Sequence, residues 1–101
     1  MDLIECKNRM YEENLTCVAA DDDGFIFVSK EKGIRPMLDL MTGCEEQGWR
    51  PVYQADMIIG KAAVLIADHC GITSVFADVA SEGAAEIAKK RGIFLCTFSM
   101  P

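Results

Sequence analysis

The sequence predicts an α/β domain built on a mixed sheet of roughly five strands, an N-terminal hairpin followed by three parallel strands. Two observations carry this. In the second half of the chain, apolar β-type runs alternate with helical segments through single glycines and short links. In the first half, two β-type runs are joined by Asp21-Asp22-Asp23-Gly24, where Asp tolerates the left-handed region and Gly supplies positive φ.

The elements follow in order. Leu3, Ile4, Met10 and Tyr11 among charged neighbours give a short amphipathic helix that ends near Asn14. Residues 15–20 and 25–28 are the two strands of the hairpin. After a polar link at 30–33, Pro36 fits the first turn of a helix, where its missing N–H costs nothing. Met37, Leu38, Leu40 and Met41 supply the buried stripe, and Gly43 or Gly48 ends the segment. Pro51 restarts the chain and residues 52–59 are a strand. Gly60 breaks it, and residues 61–70 form an apolar helix capped by Gly71. A strand at 73–79 and a helix at 81–91 follow, the helix with Ser81 as N-cap, Glu82 in its first turn and Gly92 after Lys89-Lys90-Arg91. Residues 93–98 are the last strand. Right-handed crossovers then make the last three strands parallel, and the hairpin must extend the same sheet.

A chain of 101 residues is one domain, 1–101, with one core. Its net charge of −6 argues against nucleic acid and anionic membrane as partners. No apolar run has the length of a membrane span, and the first residues have neither the basic nor the apolar region of a signal peptide. Five cysteines without C-x-x-C spacing fit reduced, buried thiols in the cytoplasm. With one His and no ligand spacing, no metal or other cofactor is expected. An apolar half in so short a chain, with an open sheet edge, points to a homodimer or higher oligomer.

In parallel α/β sheets, ligands lie beyond the C-terminal ends of strands, where helix N-termini point. Two helix starts qualify, Gly60-Lys61-Ala62-Ala63 and Ala80-Ser81-Glu82-Gly83, and they are expected to flank one crevice. A cation at a helix start opposes the macrodipole by about 0.3–1 kcal/mol, so Lys61 beside free backbone N–H groups marks an anion site. The alternative is that Lys61 extends into water or pairs with Asp56. Arg35 is a second candidate cation.

Other signals fail. The Asp21–Asp23 run meets a strand at once and so is neither a receiver site nor a calcium loop. Neither G-x-G-x-x-G nor a Walker A loop is present. His69 and Cys70 are adjacent on a helix and point in different directions, which argues against a nucleophilic pair.

Lys32-Gly33-Ile34-Arg35-Pro36, then Asp56-x-x-x-Gly60-Lys61-Ala62-Ala63, then Ser81-Glu82, resembles a small uncharacterised prokaryotic domain family assigned to the cytidine deaminase-like fold, over residues 11–101. The resemblance implies three layers, a mixed five-stranded sheet with helices on both faces. Active deaminases of that fold carry H-x-E and P-C-x-x-C at the two helix starts named above. Here those positions read Gly60-Lys61-Ala62 and Ala80-Ser81-Glu82, so every zinc ligand and the proton-shuttling Glu are missing and zinc-dependent deamination is excluded. Family members carry Pro where this chain has Gly83 and continue past the position of Pro101; if that tail completes a site, this chain is a truncated member. The expected function is zinc-free binding of an anionic small molecule of nucleotide or phosphate type, through Gly60, Lys61, Ala62, Ser81, Glu82, Arg35 and Asp56. The alternatives are a metal-independent enzyme using Lys61 or Glu82 as base, and a structural dimerisation module.

Overall fold

The computed structural model describes residues 1–99. Helix α1 (Leu3–Glu12) begins where the Asp2 carboxylate accepts from the Glu5 N–H at 3.0 Å. Cys6 and Met10, one helical turn apart, are its buried stripe. Strands β1 (Cys17–Ala20) and β2 (Phe25–Ser29) form the expected antiparallel hairpin. Its turn is closed by a side chain, with Asp21 Oδ1 accepting from the Asp23 and Gly24 amides at 2.8 and 2.9 Å.

Helix α2 (Arg35–Glu46) holds Pro36 in its first turn and runs straight through Gly43, which therefore does not end it. Gly43 serves a contact instead. A Cβ there would lie 2.1 Å from carbons of the Trp49 ring, so the missing side chain makes room for Trp49 to fold back on the helix. Trp49 also faces Phe27, with ring centroids 5.8 Å apart.

Strand β3 (Tyr53–Ile59), helix α3 (Lys61–His69), strand β4 (Ser74–Ala80), helix α4 (Glu82–Arg91) and strand β5 (Phe94–Ser99) complete the chain. Both ends of α4 carry the expected caps. Ser81 Oγ accepts from the Ala84 N–H at 3.0 Å, and Gly92 takes the left-handed conformation at φ 71°, which costs little without a Cβ.

The sheet order is β2-β1-β3-β4-β5. β1 is antiparallel to both neighbours, and β3, β4 and β5 are parallel. One face packs against α2, α3 and α4 through Met37, Leu40, Val64, Ala84 and Ala88. The other is covered by α1, whose Cys6 and Met10 meet Val18, Ala55 and Phe76. Alternation along the strands assigns the faces: Cys17 and Ala19 belong to the first, Val18 and Ala20 to the second. The molecule thus has three layers, with helices on both faces as expected.

Because β1 is antiparallel to both β2 and β3, those two strands run the same way. The chain leaves them at the same end of the sheet, and α2 and α3 begin there. α1 packs on the three central strands, β1, β3 and β4, and at the β5 edge Phe94 and Phe98 remain 61% and 80% exposed. Cys96 between them is exposed as well, unlike the buried Cys6, Cys17 and Cys70. The expectation of buried thiols fails at this residue because its strand is an edge. No helix among the described residues is long and apolar enough to cross a membrane.

Candidate functional site

The two helix starts beside β1 frame a cavity of about 480 Å³. Its wall is mostly apolar, with Ile34 just before α2, Met37 from α2, Met57 and Ile58 from β3, and Ala62 and Ala63 from α3. That volume suits a small organic molecule.

The loop over the cavity is held to the sheet. The Thr16 hydroxyl reaches the carbonyls of Ser29 and Glu31 at 3.0 and 2.6 Å. Ser29 Oγ accepts from the Glu31 N–H at 3.0 Å. Gly33, at φ 66°, then lets the chain bend into α2. Glu31 and Lys32 bring one negative and one positive charge to this side of the cavity.

Asp56 is the polar feature of the wall. It projects from β3 on the face covered by α2, α3 and α4, and is 7% exposed. Cys17 stands opposite it on β1. Gln54 Nε2 donates to Asp56 Oδ2 at 3.1 Å and the Ile58 N–H to Oδ1 at 3.3 Å. No cation pairs with Asp56 among the described residues. Burial pushes its carboxyl up to about 7, and the hydrogen bonds from Ile58 and Gln54 oppose the shift without cancelling it.

Gln54, two residues back on the same face, is fully buried. Its amide nitrogen also lies 3.0 Å from Met37 Sδ, and its Oε1 has no hydrogen-bond partner among the described residues. Sequence reasoning missed Gln54, Met37, Ile34, Glu31 and Lys32. The signal for Gln54 was in the sequence: Gln54-x-Asp56 places two polar groups on one face of a strand otherwise built to be buried.

Of the predicted site residues, the cavity gathers Asp56, Gly60 and Ala62. Lys61, Ser81, Glu82 and Arg35 do not line it. The Lys61 side chain runs across Gly83, where an added Cβ would lie 2.2 Å from Lys61 Cε. Its alkyl stem therefore occupies the space between the α3 and α4 starts where the crevice was expected. Lys61 makes no ion pair among the described residues, and Asp56 takes its hydrogen bonds from Gln54 and Ile58 rather than from Lys61. Ser81 is engaged as the α4 cap. Arg35 pairs with Asp39 one turn along α2 at 3.0 Å. Among the described residues, no three His, Cys, Asp or Glu side chains converge to hold a metal ion.

Fold and cavity together define a small three-layer α/β domain with a ligand-sized space at the start of two helices. The chain belongs to the TM1506 family, described as a domain of unknown function, DUF1893, whose model matches residues 5–98. The crystal structure of a DUF1893 family protein (TM1506) from Thermotoga maritima is similar to it, with a TM-score of 0.82 at 20% identity. The likeness shows the fold, and it covers 97% of this chain and 65% of that longer one. No curated protein matches the chain.

Proposed function

We propose that this domain binds a small acidic molecule with an apolar body, its acid group at the α2 and α3 starts and its body against Ile34, Met37 and Ile58. One observation carries the reading. The four helices differ in how they begin: α1 and α4 are capped by Asp2 and Ser81, while α2 and α3, the two that line the cavity, have no side-chain cap. The free donors come mainly from α3, since in α2 Pro36 has no N–H and the Met37 N–H donates to the Ile34 carbonyl at 3.0 Å, which leaves Arg35. Such first-turn N–H groups at the positive end of a helix dipole favour an acceptor-rich, negatively charged group. Lys32 adds a cation on the same side. The anionic character expected from sequence, there of nucleotide or phosphate type, is kept and widened to sulfate and carboxylate groups, with its place moved from the α3–α4 gap to the α2–α3 cavity. The zinc-free, non-deaminating reading is kept, since Gly60-Lys61-Ala62 and Ala80-Ser81-Glu82 offer no zinc ligand set.

Titration of isotope-labelled protein with sodium sulfate and sodium benzenesulfonate, followed by amide NMR shifts, tests this. The expected result is saturable shifts centred on Arg35, Met37 and Gly60 to Ala63, with benzenesulfonate the tighter of the two because its ring buries apolar surface. Shifts centred on Gly83 and Ala84 would return the site to the α3–α4 gap. No saturable shift with either anion ends the reading.

We also propose that the chain self-associates through β5. That edge strand carries no charged residue, and Phe94 and Phe98 are exposed on one face. Light scattering under reducing conditions at micromolar concentration is expected to give at least twice the mass of one chain. A single-chain mass across the accessible range overturns it.

A further inference from the structure

We infer that the cavity takes up its acidic ligand together with a proton, so that Asp56 enters the complex as the neutral acid and donates a hydrogen bond to the ligand. This rests on the anion reading above.

The placement of Asp56 on the cavity wall supports this. The proposed ligand carries negative charge into a mostly apolar space whose wall already holds a carboxyl group 7% exposed. Two anions in a low-dielectric site repel strongly, and sharing one proton removes the repulsion. The surroundings of Asp56 do not neutralise it in any other way. From β1 it faces Cys17, and from β4 the register partner is Ala77. Cys17 stays a neutral thiol because burial raises its pKa well above the ordinary value. From its own strand come the uncharged Gln54 side chain and the Ile58 N–H. The cavity-lining residues of α2 and α3 are Pro36, Met37, Ala62 and Ala63, with no charge among them. The loop contributes Glu31 and Lys32, both exposed, and neither is paired with Asp56. The neutral form of Asp56 is already accessible near neutral pH, since burial pushes the group up to about 7.

The balance is simple. No covalent bond within the ligand changes. Above about pH 7, where the free group is ionised, one H⁺ leaves bulk water for Asp56 as each complex forms and returns to water when the ligand departs. The acid then offers the ligand an O–H donor where its ionised form offers a repelling oxygen.

Benzenesulfonate is the probe, because its own charge stays fixed across the range that matters. Its affinity for the wild-type protein is expected to be flat below about pH 7 and to fall about tenfold per pH unit above it. In unbuffered solution held near pH 8 by a pH-stat, each complex should consume close to one equivalent of acid. Asp56→Asn, which cannot ionise, should bind with no pH dependence over the same range. Wild-type binding that is saturable but independent of pH, with no acid consumed, overturns the inference and leaves the anion reading standing. Absence of benzenesulfonate binding at acid and neutral pH alike defeats both. The pH-stat measurement uses the wild-type chain, so it decides the question even if Asp56→Asn does not fold.

Discussion

Leu40→Ala is expected to cost about 2–5 kcal/mol of folding free energy, because it opens a cavity in the larger of the two cores. Leu40 lies on α2 with no exposed surface, in the cluster that also holds Met37, Val64 and Ala67. In a domain of this size each kcal/mol moves the melting temperature by roughly 4–8 °C, so the variant should melt well below the parent. Leu38 is on the same helix but 40% exposed, and Leu38→Ala should cost about 1 kcal/mol or less. Urea unfolding of both variants gives the comparison. A common midpoint for the two would mean that α2 does not bury the face described.

Asp56→Asn should move stability in the opposite direction, and by an amount that depends on pH. The folded protein holds the Asp56 carboxyl near 7 against an ordinary value of 3.8. A raised pKa means that the folded state binds the proton more tightly than the unfolded chain does. The stability that Asp56 contributes is therefore complete below about pH 4, declines as pH rises, and is lost once pH passes about 7. Between pH 5 and pH 8 the wild-type protein should lose roughly 2–3 kcal/mol from this group alone. Asp56→Asn removes that loss, so the variant should gain on the parent as pH rises. Denaturant unfolding at the two pH values measures it. Equal sensitivity of parent and variant would mean that Asp56 is solvated in the native state.

Local chemistry made most of the elements readable. The Asp21–Gly24 turn, the Ser81 and Gly92 caps and Pro36 each depend on residues close in sequence, and each is found in its expected role. Gly43 was not readable, because its purpose is a contact with Trp49 that only the folded chain creates. The site was half legible for a related reason. Asp56, Gly60 and Ala62 follow from the end of β3 and the break into α3. The partner of that helix start is set by topology: β2 runs parallel to β3 with β1 between them. That relation brings the start of α2 to the cavity, and no local pattern in residues 30–36 announces it. Lys61 lies outside the cavity for a reason its charge does not announce, the length of its stem. The stem has somewhere apolar to lie, over Gly83.

The exposed thiol at Cys96 has a practical side. Cys6, Cys17 and Cys70 are buried and Cys44 is half-buried, so air oxidation or maleimide chemistry should select Cys96. Its register partner on β4 is Phe76, which packs under α1, so Cys96 sits on the sheet face opposite the α2–α3 cavity. A fluorophore or spin label can therefore be attached to the natural sequence without entering the cavity, but between Phe94 and Phe98 it lies in the proposed β5 contact and would report on it or block it. The same placement makes reductant necessary during storage, since disulfide-linked pairs through Cys96 would pass for a native assembly on a gel.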